Sequence, residues 1–221
     1  MEMINTKVKI CGIMREEDIE TCVRYGTDIV GFVVEYPVDV PWNLERERAK
    51  ELIEHFRIVS KKCDQPVKCC IVSGGDVDKL EELVQFLEPD YIQMHYKENA
   101  KDVEQLKERL AGTKTQIIKT VLNVSDAPEY EKCGADILLV DARNSENAAN
   151  SKATIDEEIY NKVRSSVKIP VMAAGGITPE NVADIVNRLQ PEIIDLMTGV
   201  EDKPGQKSEE KIRNLFEELK K

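Results

Sequence analysis

The sequence predicts an α/β fold in which eight strands alternate with eight helices and close into one (β/α)8, or TIM, barrel. Three observations lead to this prediction. Short apolar segments alternate regularly with amphipathic helical segments along the whole chain. The last two apolar segments each end in a glycine turn, where such barrels hold a phosphate group. The length of 221 residues suits a single barrel, so we expect one domain over residues 1–221.

The elements follow from local signals taken in chain order. Each strand is a short apolar run, and each helix is an amphipathic segment bounded by a capping residue or a glycine such as Gly26. The last-but-one helix is expected to start with Thr178 as N-cap and Pro179 at its first position. The predicted strands are 7–13, 28–34, 67–72, 91–95, 116–121, 135–141, 171–174 and 193–196. The predicted helices are 15–25, 44–60, 77–87, 99–110, 125–133, 156–166, 178–189 and 208–220.

An open, doubly wound parallel sheet is the alternative fold for this alternation. Such a sheet normally carries one phosphate-binding glycine turn near its first strand. Here the glycine turns follow the seventh and eighth predicted strands, at 175–176 and 199. Their late position favours the closed barrel.

Composition limits the classes of function. The chain is 41% hydrophobic and 33% charged, with a net charge of −11. An acidic surface argues against nucleic acid or an anionic membrane as a partner. The sequence shows neither a long apolar span nor a signal-peptide pattern, so we expect a cytoplasmic protein. Its six cysteines form no C-x-x-C pair, and no metal site is predicted.

The glycine turns are the first candidate functional feature. Backbone N–H groups at Gly175 and Gly176, and at Thr198 and Gly199, are predicted to bind a phosphate near the positive end of a helix. The alternative is that both turns are only caps and tight connections. Two such turns in register on successive strands favour the phosphate site.

Reactive side chains at strand ends form the second group of candidates. The active site of a parallel barrel lies at the carboxyl ends of its strands. Cys11 ends the first predicted strand, and Asp141 ends the sixth after a buried apolar run. A carboxylate in such a place is costly unless it is paired or used. The alternatives are a small buried thiol for Cys11 and a turn or capping residue for Asp141.

Three further polar residues fall on strands. Gln93 and His95 share one face at the end of the fourth strand, and Asp195 lies inside the eighth. We treat them as candidate substrate-binding residues. The alternatives are a hydrogen-bonded structural histidine for His95 and, for Asp195, a salt bridge to Lys9 or another interior base.

These residues together resemble the phosphoribosylanthranilate isomerase family of tryptophan biosynthesis. The resemblance extends from Lys9 to the last helix, with the motifs in the family's order and spacing. The matching segments are 9–13 (KICGI), 31–34 (GFVV), 92–95 (IQMH), 138–141 (LLVD), 174–182 (AGGITPENV) and 195–201 (DLMTGVE).

The resemblance implies a chemistry. The family converts an N-linked aminoaldose phosphate into an aminoketose by an Amadori rearrangement. It implies Cys11 as general base and Asp141 as general acid, with no metal and no organic cofactor. The base should be partly thiolate, and the acid should be protonated when the sugar ring opens. The implied partner is a small phosphorylated sugar-amine substrate, with the chain a monomer or homodimer.

The chain departs from the family pattern at the end that should hold the aromatic acid. The family carries an arginine after the second strand, but here no basic residue precedes Arg46 in that loop. Arg143 is the nearest candidate for a substitute cation. Two alternatives to the family reaction therefore stay open at this stage. One is an isomerase of another phosphorylated aminosugar, and the other is a non-catalytic barrel that binds a phosphorylated ligand.

Overall fold

The computed structural model describes residues 6–63, 65–142 and 154–220, and within these ranges eight parallel strands form a closed barrel. Neighbours in sequence pair in order, and β1 closes the ring by pairing with β8. The predicted fold class is confirmed. The strands are β1 Lys7–Ile10, β2 Ile29–Val33, β3 Lys68–Ser73, β4 Tyr91–Met94, β5 Gln116–Thr120, β6 Ile137–Asp141, β7 Val171–Ala174 and β8 Ile193–Leu196.

A helix follows each strand and packs on the outside of the barrel. No helix in the described ranges is long and apolar enough to cross a membrane. The helices are α1 Glu16–Tyr25, α2 Arg46–Ser60, α3 Val77–Leu87, α4 Ala100–Arg109, α5 Ala127–Lys132, α6 Glu157–Ser166, α7 Val182–Leu189 and α8 Glu209–Glu218.

Short polar side chains fix where several helices begin. The Asp76 carboxylate accepts the Lys79 amide at the start of α3, and Asp156 accepts the Ile159 amide at the start of α6. Asn99 begins α4 with a reciprocal capping box to Asp102. Each cap satisfies an N–H group that the first helical turn leaves without an intrahelical partner. The helices therefore start at a fixed distance from the strand ends, where the cavity lies.

Side chains alternate along each strand, so the barrel has two apolar layers. The outward-facing layer packs between strands and helices and includes Ile10, Phe32, Ile71 and Ile92. The inward-facing layer fills the barrel and consists of Cys11, Ile29, Val33, Cys70, Val72, Ile118, Ile137, Leu139, Met172, Ala174 and Ile193. This inner layer forms the floor on which the polar residues of the mouth stand.

Two predicted element bounds differ from the structure by three or more residues. The first strand ends at Ile10, because the chain turns at Gly12, where φ is +73°. The helix after β7 begins at Val182 rather than at Thr178. Residues 178–181 instead form a turn held by Asn181, whose side chain accepts the Thr178 amide at 2.8 Å and donates to the Gly176 carbonyl at 2.8 Å.

The structure of the segment after β8 was not predicted. After β8 a short 3-10 turn, Thr198–Val200, leads into a small antiparallel hairpin of β9 Glu201–Lys203 and β10 Gln206–Lys207. The predicted helix 125–133 is likewise split into a 3-10 turn, Val124–Asp126, followed by α5. Both irregular segments are too short for hydrophobic periodicity to reveal.

Leu80→Ala should lower the free energy of unfolding by about 2 to 5 kcal/mol, because a fully buried leucine loses its contacts and leaves a cavity. Urea titration followed by circular dichroism measures the change. Ile58→Ala is the control, since Ile58 is 61% exposed on the neighbouring helix α2. Equal losses for the two variants would contradict the packing described here.

Candidate active site

A cavity of about 740 Å³, including its open mouth, lies at the carboxyl ends of the strands. It receives side chains from seven of the eight strands or from the loops after them. Five of the predicted site residues line it together with Gly175, so the structure brings most candidates to one place. The lining residues are Cys11, Val33, Tyr36, Val40, Trp42, Val72, Gln93, His95, Asp141, Ala174, Gly175, Asp195 and Met197.

Cys11 lies directly after β1 and is 5% exposed. A Cβ atom at Gly31 on the adjacent strand would lie 2.9 Å from the Cys11 Sγ. Glycine at that position therefore leaves the space that the thiol occupies. Burial raises the pKa of Cys11, whereas the positive charge of Lys9 lowers it. In the unliganded site the group is therefore a thiol at neutral pH, contrary to the expectation of a partly ionised base.

An ion pair lies beneath the thiol. Lys9 and Asp195 are register partners on β1 and β8, and Lys9 Nζ donates to Asp195 Oδ2 at 2.7 Å. The predicted salt bridge is therefore present. Burial is the largest single influence and lowers the pKa of Lys9, but the Asp195 carboxylate, together with Cys11 and Cys70, raises this pKa overall. Asp195 Oδ1 is also buried and has no hydrogen-bond partner among the described residues.

Asp141 ends β6 and reaches the same cavity from across the barrel. Its register partner on β7 is Ala174, which in turn pairs with Asp195 on β8. Burial raises the pKa of Asp195, and the charge of Asp141 raises it further, while Lys9 lowers it. The mouth thus holds two carboxyl groups whose charges interact, opposite a thiol.

Gln93 and His95 project from the end of β4 as a connected pair. Gln93 Nε2 lies 2.9 Å from His95 Nδ1, and the Thr120 hydroxyl lies 2.8 Å from the same nitrogen. Because an amide nitrogen can only donate, Nδ1 is the acceptor and the ring proton lies on Nε2. Burial lowers the pKa of His95 to about 4, and the charge of Lys9 lowers it as well. His95 is therefore a neutral hydrogen-bond donor.

The two glycine turns touch each other. A Cβ atom at Gly199 would lie 1.9 Å from the Ile177 carbonyl oxygen, so only glycine allows the turn after β8 to approach the turn after β7. Gly175 and Gly176 both have positive φ, +102° and +65°. The four residues predicted to hold a phosphate are thus neighbours at one side of the mouth.

Tyr36, Val40, Trp42 and Met197 form a second, apolar wall of the cavity. The Tyr36 hydroxyl donates to the His95 carbonyl at 2.7 Å. None of these four was among the candidate site residues predicted from the sequence. The chain's one tryptophan, in a proline-containing loop directly after a strand, was the signal that could have revealed the wall.

Trp42 is held from behind by the unpredicted hairpin. Its indole Nε1 donates to Glu201 Oε1 at 2.9 Å, and the same oxygen lies 2.7 Å from Lys207 Nζ. The side chains of Glu201 and Lys207 are 4% and 0% exposed. A buried ion pair therefore fixes the orientation of the ring.

Arg143, predicted as a substitute cation, lies outside the described residues. Among the described lining residues there is no lysine or arginine. The part of the chain that the structure describes also contains no group of three or more His, Cys, Asp or Glu side chains that could hold a metal ion.

These features define a class, the (β/α)8 enzymes that perform acid–base chemistry on a small substrate at the barrel mouth. Within that class the assignment is specific. The family model for N-(5'-phosphoribosyl)anthranilate (PRA) isomerase matches residues 8–218, and the chain belongs to this family. It is an isomerase of tryptophan biosynthesis that performs an aldose–ketose Amadori rearrangement. The resemblance seen in the sequence is confirmed, and the two alternative functions are not favoured.

Individual relatives agree with the family assignment. The N-(5'-phosphoribosyl)anthranilate isomerase of Methanothrix thermoacetophila is 31% identical over 95% of this chain and 98% of its own length. The crystal structure of the Thermus thermophilus isomerase has a TM-score of 0.78 at 26% identity, covering 97% of this chain and 98% of that one. Another isomerase structure, at 25% identity and a TM-score of 0.75 over 97% and 98% of the chains, contains reduced 1-(o-carboxyphenylamino)-1-deoxyribulose 5-phosphate.

His95 should stay neutral from pH 8 to pH 5, because its pKa is lowered from 6.5 to about 4. The unfolded chain binds this proton first, so His95 lowers the stability of the native state as pH falls from 6.5 towards 4. Proton and nitrogen NMR of the imidazoles measures the titration. The chain has only two histidines, so a His55→Gln variant assigns both signals. A His95 midpoint near 6.5 would contradict the proposed hydrogen bonding.

Proposed function

We propose that Cys11 is the general base and Asp141 the general acid of the Amadori rearrangement of N-(5'-phosphoribosyl)anthranilate. The observation that carries this proposal is that both side chains line one cavity, from β1 and from β6. Asp141 protonates the ring oxygen of the ribose, and the ring opens to a protonated Schiff base. Cys11 then removes the proton from C2, and the electron pair of that C–H bond neutralises the Schiff base as an enolamine. The enolamine relaxes to the ketone.

The base must be ionised when it acts, although the thiol is the resting form. A C2 proton beside a protonated Schiff base is more acidic than one in the closed sugar, so a small thiolate population is sufficient. The rate should consequently rise with pH on the side where Cys11 loses its proton. A positively charged Schiff base bound next to Cys11 also favours the thiolate directly.

We place the substrate's phosphate at the two touching glycine turns, with the backbone N–H groups of Gly175, Gly176, Thr198 and Gly199 as donors. The support is the proximity of the two turns and the positive φ of Gly175 and Gly176, a backbone geometry that can direct successive amides towards a ligand. Asn181 stabilises this turn by bonding both Gly176 and Thr178. The 3-10 turn Thr198–Val200 adds a second short stretch of amides on the same side.

We place the ribose between the glycine turns and the thiol, with Asp195, Gln93 and His95 as its polar contacts. Asp195 Oδ1 and Gln93 Oε1 are both buried acceptors without a partner among the described residues. A buried acceptor without a partner destabilises the free protein, because it has given up its hydrogen bonds to water. A sugar hydroxyl that donates a hydrogen bond to it removes this cost and so strengthens substrate binding. His95 Nε2 supplies the complementary donor.

We place the aromatic ring of the substrate against Tyr36, Val40, Trp42 and Met197. Aromatic and apolar side chains bury such a ring well. A related isomerase has been crystallised in complex with reduced 1-(o-carboxyphenylamino)-1-deoxyribulose 5-phosphate, which supports a ligand that carries an aromatic acid. Arg143 stays our prediction for the cation that meets its carboxylate.

We also propose that residues 1–221 form one barrel domain, that the chain is cytoplasmic, and that it acts as a monomer or homodimer.

Cys11→Ser and Asp141→Asn should each lower kcat by at least about 100-fold, because each removes one partner of the proton transfers. The variants should also fail to restore growth of a tryptophan auxotroph that lacks the isomerase. Turnover of N-(5'-phosphoribosyl)anthranilate, followed by loss of substrate fluorescence, measures the effect. Cys133→Ser is the matched control, since this half-buried thiol follows helix α5 and is not a cavity residue. Full turnover by Cys11→Ser would show that the base is another group.

Gly199→Ala should raise KM by about tenfold or more, because the added methyl group pushes the β8 turn away from Ile177 and separates the phosphate donors. Competitive inhibition by inorganic phosphate should weaken in parallel. Gly112→Ala is the control. Alanine at Gly112 is strained by the backbone φ of +93°, but nothing lies within 4 Å of the added carbon, so this variant reports the general cost of a glycine substitution without the clash at Ile177. Unchanged phosphate inhibition in folded Gly199→Ala would place the phosphate elsewhere.

A further inference from the structure

Lys9 is a buried charge that the proton transfers above do not use. Its side chain is 0% exposed, and it stands two residues before Cys11 on the same face of the chain. An ammonium group without a counter-ion would be strongly destabilised in this interior. A lysine buried beneath the cavity therefore needs a reason that packing alone does not supply.

Asp195 compensates the charge of Lys9, and its side chain also lines the cavity that contains Cys11. Asp195 Oδ2 lies 2.7 Å from Lys9 Nζ, while the Asp195 side chain is only 9% exposed and lines the same cavity as Cys11. The pair is neutral as a unit. A thiolate formed at Cys11 would add one negative charge next to it, and the ammonium is the member of the pair that favours this charge.

The other charged and titratable groups around Cys11 come from five further elements. Cys70 and neutral His95 carry no charge at neutral pH, and Lys207 is paired with Glu201 at 2.7 Å and donates to the Met197 carbonyl at 3.2 Å. Asp141 adds negative charge from across the barrel. Of the cations, Lys9 has the larger effect on the thiol and Lys207 the smaller. The groups are Lys9 on β1, Cys70 on β3, His95 after β4, Asp141 on β6, Asp195 on β8 and Lys207 on β10.

We propose that Lys9 is a positioning residue whose ammonium group stabilises the thiolate of Cys11, and that Asp195 both holds this ammonium in place and limits its effect. The proposal rests on the proposed role of Cys11 as the base. During the reaction the thiolate takes the C2 proton and becomes a neutral thiol, while the electron pair of the C–H bond enters the enolamine. Lys9 keeps its proton throughout.

Neutralising the two members of the pair should shift the thiol in opposite directions. In Lys9→Met the thiolate loses its nearest cation, so alkylation of Cys11 by iodoacetamide at pH 7.5 should be at least about tenfold slower. In Asp195→Asn an anion is lost and alkylation should become faster. Peptide mass spectrometry reports Cys11 separately from the other five cysteines over a pH series. A merely structural role for the pair would alter reactivity in the same direction in both variants.

The chain offers a matched control on the other side of the sheet. Lys119 on β5 is also 0% exposed and pairs with buried Glu98 at 3.3 Å, but neither residue lines the cavity. Lys119→Met removes an equally buried ammonium. It should leave unchanged the alkylation midpoint of Cys11, which is the pH at which the alkylation rate reaches half of its maximum. Lys9→Arg keeps the charge and should alkylate within about threefold of the wild type.

An unchanged Cys11 midpoint in Lys9→Met, or equal shifts in Lys9→Met and Lys119→Met, would overturn the proposal. If Lys9→Met does not fold, Asp195→Asn decides: a lowered midpoint supports the proposal and a raised or unchanged one overturns it. Alkylation needs no substrate, so the result is independent of turnover. Full turnover by Cys11→Ser would show that Cys11 is not the base, but it would not change the alkylation midpoints. A failure of the proposed base role is therefore distinguishable from a failure of the proposed role of Lys9.

Discussion

The structure depends on the closure of the barrel between its first and last strands. Four register pairs join β1 to β8, and inside the ring one of them, Lys9 with Asp195, forms a buried ion pair. Breaking such a pair from one side leaves an unpaired charge in the interior, so the pair specifies the alignment of the two strands. Cys11 follows β1 and the glycine turn follows β8. The alignment therefore also sets the distance between the thiol and the glycine turns.

At the mouth of the barrel, charged groups surround the thiol on one side, and apolar side chains form the other wall. Two lysines influence the thiol, and each is compensated by a carboxylate, Lys9 by Asp195 and Lys207 by Glu201. The apolar wall depends on a buried ion pair that does not itself line the cavity. Glu201 and Lys207 form this pair, and Glu201 holds the ring of Trp42 by a hydrogen bond. Asp195 Oδ1 has no hydrogen-bond partner among the described residues, and this buried acceptor is the basis for the proposed contact with a sugar hydroxyl.

Much of this could be predicted from the sequence, where local signals were sufficient. Strands 171–174 and 193–196 and helix 77–87 have the predicted bounds, because each is a clean apolar run or amphipathic segment between strong turn residues. Cys11, Asp141 and Asp195 were found because reactive residues at the ends of barrel strands converge by topology. The parts that failed depend on side-chain contacts that hydrophobic periodicity does not reveal, one of them local and the other distant in sequence. The start of α7 is set by Asn181 reaching back to Gly176, and the Trp42 wall is set by a hairpin more than a hundred residues further along.

The position of Trp42 has a spectroscopic consequence. It is the only tryptophan of the chain, and it stands in the cavity wall with its indole N–H bonded to a carboxylate. The emission of an indole responds to the polarity and hydration of its surroundings, and here all of that emission comes from one spot. When the indole is excited at wavelengths where tyrosine does not absorb, the protein's intrinsic fluorescence is thus a reporter of what enters the part of the cavity next to Trp42, and it needs no label.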